Sequence, residues 1–121
     1  MSEKSVKESF DLTEILKKLM NVLEKKEAID PVILNMSKTR LLTDYFVVCT
    51  ANSNIHMKSL RDEVVDFFND IGKDIIYYDR GEGYDWMLID AGEIVVHIFT
   101  KSAREFYDLE HLWLDAERVV L

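Results

Sequence analysis

The sequence predicts a single α/β domain in which helices flank a mixed sheet of about five strands. Three observations lead there. Apolar residues recur at helical spacing in two long stretches, and runs of β-branched and aromatic residues lie between and after them. One Pro and four Gly in 121 residues leave no linker or second domain to cut out. A chain of this length buries roughly two-thirds of its unfolded surface, and 48% hydrophobic residues argue against disorder. The expectation is one domain over residues 1–121, with residues 1–9 as a flexible N-terminal extension.

The elements follow in the order α-β-β-α-β-β-β-α. Asp11 and Glu14 are spaced as a capping box, and Phe10 can staple onto Ile15. Leu12, Ile15, Leu16, Leu19, Val22 and Leu23 then give one apolar helical face, with Lys17, Lys18, Glu24, Lys25, Lys26 and Glu27 toward water. Asp30-Pro31 is expected to stop this helix. Val32 to Met36 reads as a short strand, and Asp44 to Thr50 as a second. Ser53 is a good N-cap for a helix that buries Met57, Leu60, Val64, Phe67, Phe68 and Ile71 and ends at Gly72. Ile75 to Tyr78 is the third strand, and residues 79–85 form a turn. Trp86 to Asp90 and Glu93 to Phe99 make a hairpin about Ala91-Gly92, where Gly is free to take positive φ. Ser102 and Glu105 suggest a capping box for a short last helix. Asp108 is expected to restart it as a bent segment carrying Tyr107, Leu109, Leu112 and Trp113.

Charge is uneven. The net is −8, yet residues 1–59 carry nine basic and eight acidic groups while residues 60–121 carry six and fifteen. The second half repels phosphate backbones and attracts basic surfaces, so no direct, specific nucleic-acid binding is expected there. Solubility alone is the plainer explanation. Cys49 has no second cysteine to pair with, which points to a reducing compartment, the cytoplasm. The N-terminus has no apolar core of signal-peptide length, and no window approaches the roughly 20 apolar residues of a spanning helix.

Known site chemistries are hard to place. His56, His97, His111 and Cys49 fall in no zinc-ligand spacing, and neither phosphate-binding glycine motif occurs. Arg80-Gly81-Glu82-Gly83 puts acid where a phosphate would sit. Cys49 lies in an apolar strand and reads as a small buried hydrophobe. Asp44 heads one strand and Asp90 ends another, so a magnesium-dependent nucleotidyltransferase built on that pair is the enzymatic alternative. No strand carries two close carboxylates, however. Asp62-Glu63 reads as a solvated helix face. His97 shares a strand face with Val95 and Phe99. It is either a structural, hydrogen-bonded histidine or a partly exposed one in an interaction surface.

Trp86, His97, Phe99, Phe106, Tyr107 and Trp113 all fall within the last 36 residues, in the acidic half. Phe99 and Phe106 are expected in the core. Trp86 and Trp113 fit either the core or an interface, where rings with one apolar and one wet end are favoured.

Three segments resemble the ribosomal silencing factor (Iojap-like) family. Asp44-Tyr45-Phe46-Val47-Val48, Thr50, Ser53 and His56 match one of its motifs. Trp86 to Phe99, with Leu88, Asp90, Gly92, Val95, Val96 and His97, matches its hairpin. Arg104, Phe106-Tyr107, Leu109-Glu110 and Leu112-Trp113 match its ending. The likeness covers about residues 10 to 117; Ala51 and Glu93 are mild departures. It implies a fold like that of nucleotidyltransferases without their metal-binding carboxylates, no enzymatic activity, and no cofactor or metal. It further implies binding to the large-subunit ribosomal protein numbered fourteen, which blocks subunit joining and lowers translation when nutrients are scarce. Organellar members act in ribosome assembly, and free members are often homodimers. On that footing the partner-facing residues are Trp86, His97, Arg104, Tyr107, Asp108, Leu109, Glu110 and Trp113. Arg104 could instead brace the acidic ending from within.

Overall fold

The computed structural model describes residues 12–39, 43–108 and 117–121. The first apolar stripe forms α1 (Leu12–Lys25), with Leu16, Leu19 and Leu23 buried and Lys17, Lys18, Glu24 and Lys25 exposed. The Asp11 cap and the Phe10 staple lie outside the described residues.

The helix stops before the proline. Glu27 takes φ +61°, and the chain enters β1 (Ile29–Asn35). Asp30-Pro31 therefore sits inside a strand rather than ending a helix. The strand tolerates it because Ile29 opposes Thr50 and Val32 opposes Val48, so an extra residue bulges out between them. A bulge is where a proline without an N–H does least harm to a ladder.

β2 (Tyr45–Thr50) lies beside β1 and is buried from Phe46 onward. Ser53 then caps α2 (Asn54–Asp70), its hydroxyl accepting the His56 N–H. Met57, Leu60, Val64 and Phe68 form the inward stripe, while Phe67 and Ile71 are half-buried at its rim. The His56 ring ties the helices together, with Nδ1 accepting the Asn52 N–H at 2.8 Å and Nε2 lying 2.7 Å from the Lys26 carbonyl. Arg61 is buried, which the hydrophobic pattern does not anticipate. It bonds Asp62 and donates to the Asp79 and Gly81 carbonyls, pinning the 79–85 turn to α2. Gly72, at φ +75°, turns the chain away.

β3 is only Tyr77–Tyr78, shorter than expected. Ile76 still donates to the Asp90 carbonyl, but this is the sheet's rim and Ile76 is exposed. β4 (Trp86–Asp90) and β5 (Ile94–Phe99) form the hairpin. Asp90 accepts the Gly92 N–H, and Gly92 has φ +85°. Glu93 belongs to the turn, where its carboxylate pairs with Lys73.

α3 (Lys101–Tyr107) is capped by Thr100, whose hydroxyl accepts the Ala103 N–H, and not by Ser102. β5 holds the chain extended through Phe99, so the first residue free to cap is Thr100. Asp108, at φ +46°, ends this helix, and the expected restart after it lies outside the described residues. Leu109 to Trp113 lie outside the described residues. A sixth strand, β6 (Glu117–Val119), has no counterpart in the sequence reading. It pairs with β1 at the rim, and Glu117 meets Lys38 at 2.8 Å.

The sheet order is β3-β4-β5-β2-β1-β6, antiparallel throughout except for the parallel β2–β5 pair. One face carries Ile33, Val47, Cys49, Met87, Ile89, Val96 and Ile98 under α1 and α2. The other carries Val32, Leu34, Phe46, Val48, Val95 and Phe99, with Ala103 of α3 against them. Among the described helices none is long and apolar enough to cross a membrane.

The cap assignment separates two neighbouring residues. Thr100→Ala is expected to lower the unfolding free energy by about 1 kcal/mol. Ser102→Ala should change it by less than about 0.5 kcal/mol. Urea titrations of both variants check this.

Candidate interaction surface

The second sheet face ends in an aromatic cluster. Cross-strand register sets Trp86 opposite Phe99 and Leu88 opposite His97, so the indole, the imidazole and the phenyl ring meet on one side of β4 and β5. Trp86 lies 5.0 Å from Phe99 and 5.7 Å from His97 between ring centroids, and Phe46 closes on His97 from β2 at 4.3 Å. Tyr107 reaches back from the end of α3 to within 4.9 Å of Trp86 and 6.1 Å of Phe99.

His97 is structural. It is 4% exposed, not partly open to solvent. Its Nδ1 accepts the Trp86 indole N–H at 2.9 Å, which places the ring proton on Nε2. Nε2 is itself buried and has no hydrogen-bond partner among the described residues. Burial pushes the histidine pKa down to about 3, so the ring is neutral at physiological pH. Neutrality is also what the Trp86 bond requires, since an imidazolium has no acceptor nitrogen.

The outward part of the cluster comes from α3. Phe106 was expected in the core, but it is 81% exposed. In a seven-residue helix Ala103 and Tyr107, four apart, turn toward the sheet, and Phe106 is carried outside. It stacks edge-on against Tyr107, which is also open to solvent, and Trp86 is half-buried behind them. Asp108 stands at the helix end. Arg104 faces inward, donating to the Thr50 hydroxyl and to the Asp30 carbonyl, each at 3.0 Å. The structure thus brings Trp86, His97 and Tyr107 together, with Asp108 at the end of α3 beside them, and turns Arg104 away toward Thr50 and Asp30. Leu109, Glu110 and Trp113 lie outside the described residues. Phe106 is the surface residue that sequence reasoning missed.

Elsewhere the groups weighed for chemistry are dispersed. Cys49 is buried, and burial pushes its pKa up to about 12, which suits a packing role and not a nucleophile. Asp44 and Asp90 stand at the same end of the sheet on opposite sides of β5. Asp90 is engaged by the Gly92 N–H. Among the described residues no three His, Cys, Asp or Glu side chains gather where a metal ion could be held.

The buried histidine has a measurable signature. Below its ordinary value of 6.5 the unfolded chain takes up a proton on His97 that the folded chain refuses down to about 3. This contribution therefore costs nothing above pH 6.5, and stability is lost as pH falls through that window. The slope should approach 1.4 kcal/mol per pH unit, or about one proton. Denaturant titrations between pH 6.5 and 5.5, above most carboxylate titrations, should show the slope in the wild type and its loss in His97→Asn.

Likeness to known proteins agrees with this architecture. The family model described as ribosomal silencing factor during starvation matches residues 9–121. Ribosomal silencing factor RsfS of Halalkalibacterium halodurans is 38% identical over 111 residues, covering 89% of this chain and 92% of its own. The Bacillus subtilis protein of the same name is 37% identical, covering 84% and 86%. A crystal structure of a Chromobacterium violaceum protein superposes with a TM-score of 0.80 at 34% identity, covering 85% of this chain and 86% of that one. Mitochondrial assembly of ribosomal large subunit protein 1 of Mus musculus is 29% identical over 78% of this chain and 43% of its own. A family model matched over residues 9–121, together with relatives 37% and 38% identical across most of both chains, shows that this chain belongs to the ribosomal silencing factor family.

Proposed function

We propose that the protein is a non-enzymatic silencing factor of the cytoplasm that binds the large ribosomal subunit. Its contact is the ribosomal protein numbered fourteen, on the face toward the small subunit, and its presence there keeps the two subunits apart. Translation falls when nutrients are limiting. The observation that carries this reading, beside the family, is the surface at the end of α3. Phe106 and Tyr107 are exposed side by side there, seated on Trp86, in the half of the chain with a net charge of −9. Aromatic anchors supply most of an interface's energy. An acidic carrier favours a basic ribosomal protein over the phosphates around it. Trp86, Tyr107, Leu109 and Trp113 are the anchors in this reading, with Asp108 and Glu110 meeting basic side chains. His97 acts from beneath by holding Trp86. The free protein is a homodimer, as the resemblance implies.

The relative named for assembly of the mitochondrial large subunit favours a second reading, in which the protein acts on the large subunit during assembly. Sedimentation from growing and starved cells separates the two. Binding only to immature particles means assembly, whereas binding to mature large subunits under starvation means silencing.

The direct test is subunit joining followed by light scattering with purified subunits. Joining should fall stoichiometrically with added protein, and the protein should sediment with the large subunit alone. Phe106→Ala removes a ring that lies almost wholly in solvent, and Tyr107→Ala is tested once its unfolding transition matches the wild type. At least one of them should weaken large-subunit binding by about 2 kcal/mol, the cost of truncating an anchor. Full affinity in both, and in a folded Trp86→Ala, would remove this surface from the interface.

A further inference from the structure

Arg104 has the right neighbours for a different task from touching a partner. Its side chain is 12% exposed, and its guanidinium reaches away from α3 toward the far side of β2. Nη1 donates to the Thr50 hydroxyl and Nη2 to the Asp30 carbonyl, while the Asp30 carboxylate lies 4.0 Å away. Both acceptors are presented by an irregularity of the sheet. Ile29 opposes Thr50, so Asp30 is the first residue of the β1 bulge. It holds φ +51°, a conformation that L residues other than Asn and Asp seldom adopt. In a regular strand the extra residue would be absent, and the register on this edge would differ.

Besides this tie, the helix is held, among the described residues, through its Thr100 cap, through Ala103 and through Tyr107 against Trp86 and Phe99. It has seven residues, too few to be stable alone, and Ala103 is its one buried residue. The Thr100 cap holds its first turn, and the last turn carries Phe106 and Tyr107. Thr50 is paired in register with Phe99, whose ring touches both Trp86 and Tyr107. The guanidinium therefore anchors α3 at the level of the sheet where the aromatic cluster stands. Arginine's planar fork can meet two fixed oxygens at once, which a lysine ammonium on a flexible stem does poorly.

We infer that Arg104 is a positioning residue: by tying α3 to the Asp30 bulge and the Thr50 hydroxyl it sets where Phe106 and Tyr107 stand against Trp86. Thr50 and Asp30 thus determine the shape of a surface they do not belong to. The consequence for binding rests on the proposed function; the consequence for the geometry of α3 does not.

The test uses the full chain with Arg104→Lys, Thr50→Val and Thr50→Ser. Thr50 is 4% exposed, so no partner can touch it directly. The first readout is the indole proton resonance of Trp86, identified by its absence in Trp86→Phe, which senses the Tyr107 ring 4.9 Å away. The second is affinity for purified large subunits. Arg104→Lys and Thr50→Val should move the resonance in the same direction and weaken binding about tenfold, as for one lost hydrogen bond to a charged group. Combining them should add little, because both cut the same tie. Thr50→Ser keeps the hydroxyl and should restore both readouts. An unmoved resonance in folded Arg104→Lys and Thr50→Val overturns the inference. So does a loss of affinity confined to Arg104→Lys, which would mean direct contact. A shifted resonance with unchanged affinity breaks the link between α3 placement and binding. If the wild type itself fails to bind large subunits while the resonances move as stated, the proposed function falls and the positioning role stands.

Discussion

The parallel pairing of β2 with β5 is the constraint on which the rest of this molecule depends. The two strands lie in the middle of the sheet, and every residue from Phe46 to Thr50 and from Ile94 to Phe99 is buried. A sheet centred on such strands must be covered on both faces. α1 and α2 cover one face with leucine, valine and phenylalanine. On the other, among the described residues, α3 offers Ala103 and Tyr107, and the large side chains of Phe46, Trp86 and Phe99 fill much of the remaining space. The same need explains the one histidine among the described strands. His97 enters an apolar layer as a neutral ring, and the indole N–H that satisfies its Nδ1 belongs to Trp86. The orientation of Trp86 is thus fixed by the requirements of the core, one layer below the exposed rings.

How much of this was legible in the sequence depends on the range of the signal. β2, β4, β5 and α2 were readable because apolar runs and the Ser53 cap are local. The tryptophan, histidine and tyrosine of the cluster were readable as a group from their crowding into the acidic half. Asp30-Pro31 looked like a helix stop because a bulge exists only with respect to β2, which is fifteen or more residues away along the chain. β6 was invisible for the same reason: its Glu117-Arg118-Val119 has no pattern of its own, and β1 supplies the ladder. Arg61 sits at a position that helical spacing would leave apolar or exposed. Its partners are carbonyls 18 and 20 residues onward. Phe106 was misplaced because a seven-residue helix is too short for its periodicity to choose between adjacent aromatic residues.

Much of the acidic charge stands on a different part of the fold from the exposed rings, and this bears on how a protein of this family would meet a ribosome. The outward face of α2 presents Asp66 and Asp70, with Asp62 drawn partly to Arg61, on the side of the sheet opposite α3. Carboxylates in that position act through the long-range field, over about a Debye length of 8 Å in physiological salt. They govern which surfaces the molecule approaches and how often. Phe106 and Tyr107 would act only in contact, and of the two it is Tyr107 that is held in advance, by Trp86 and Phe99 beneath it. A surface whose rings are already in place gives up less side-chain freedom on docking, so more of the contact energy remains as affinity. The division matters on a particle made mostly of RNA. Carboxylates on α2 bias the approach without being desolvated, whereas Asp108, next to Tyr107, would lose water on docking and so calls for a basic partner at the contact. The aromatic cluster can serve as such a contact because the core has already ordered it.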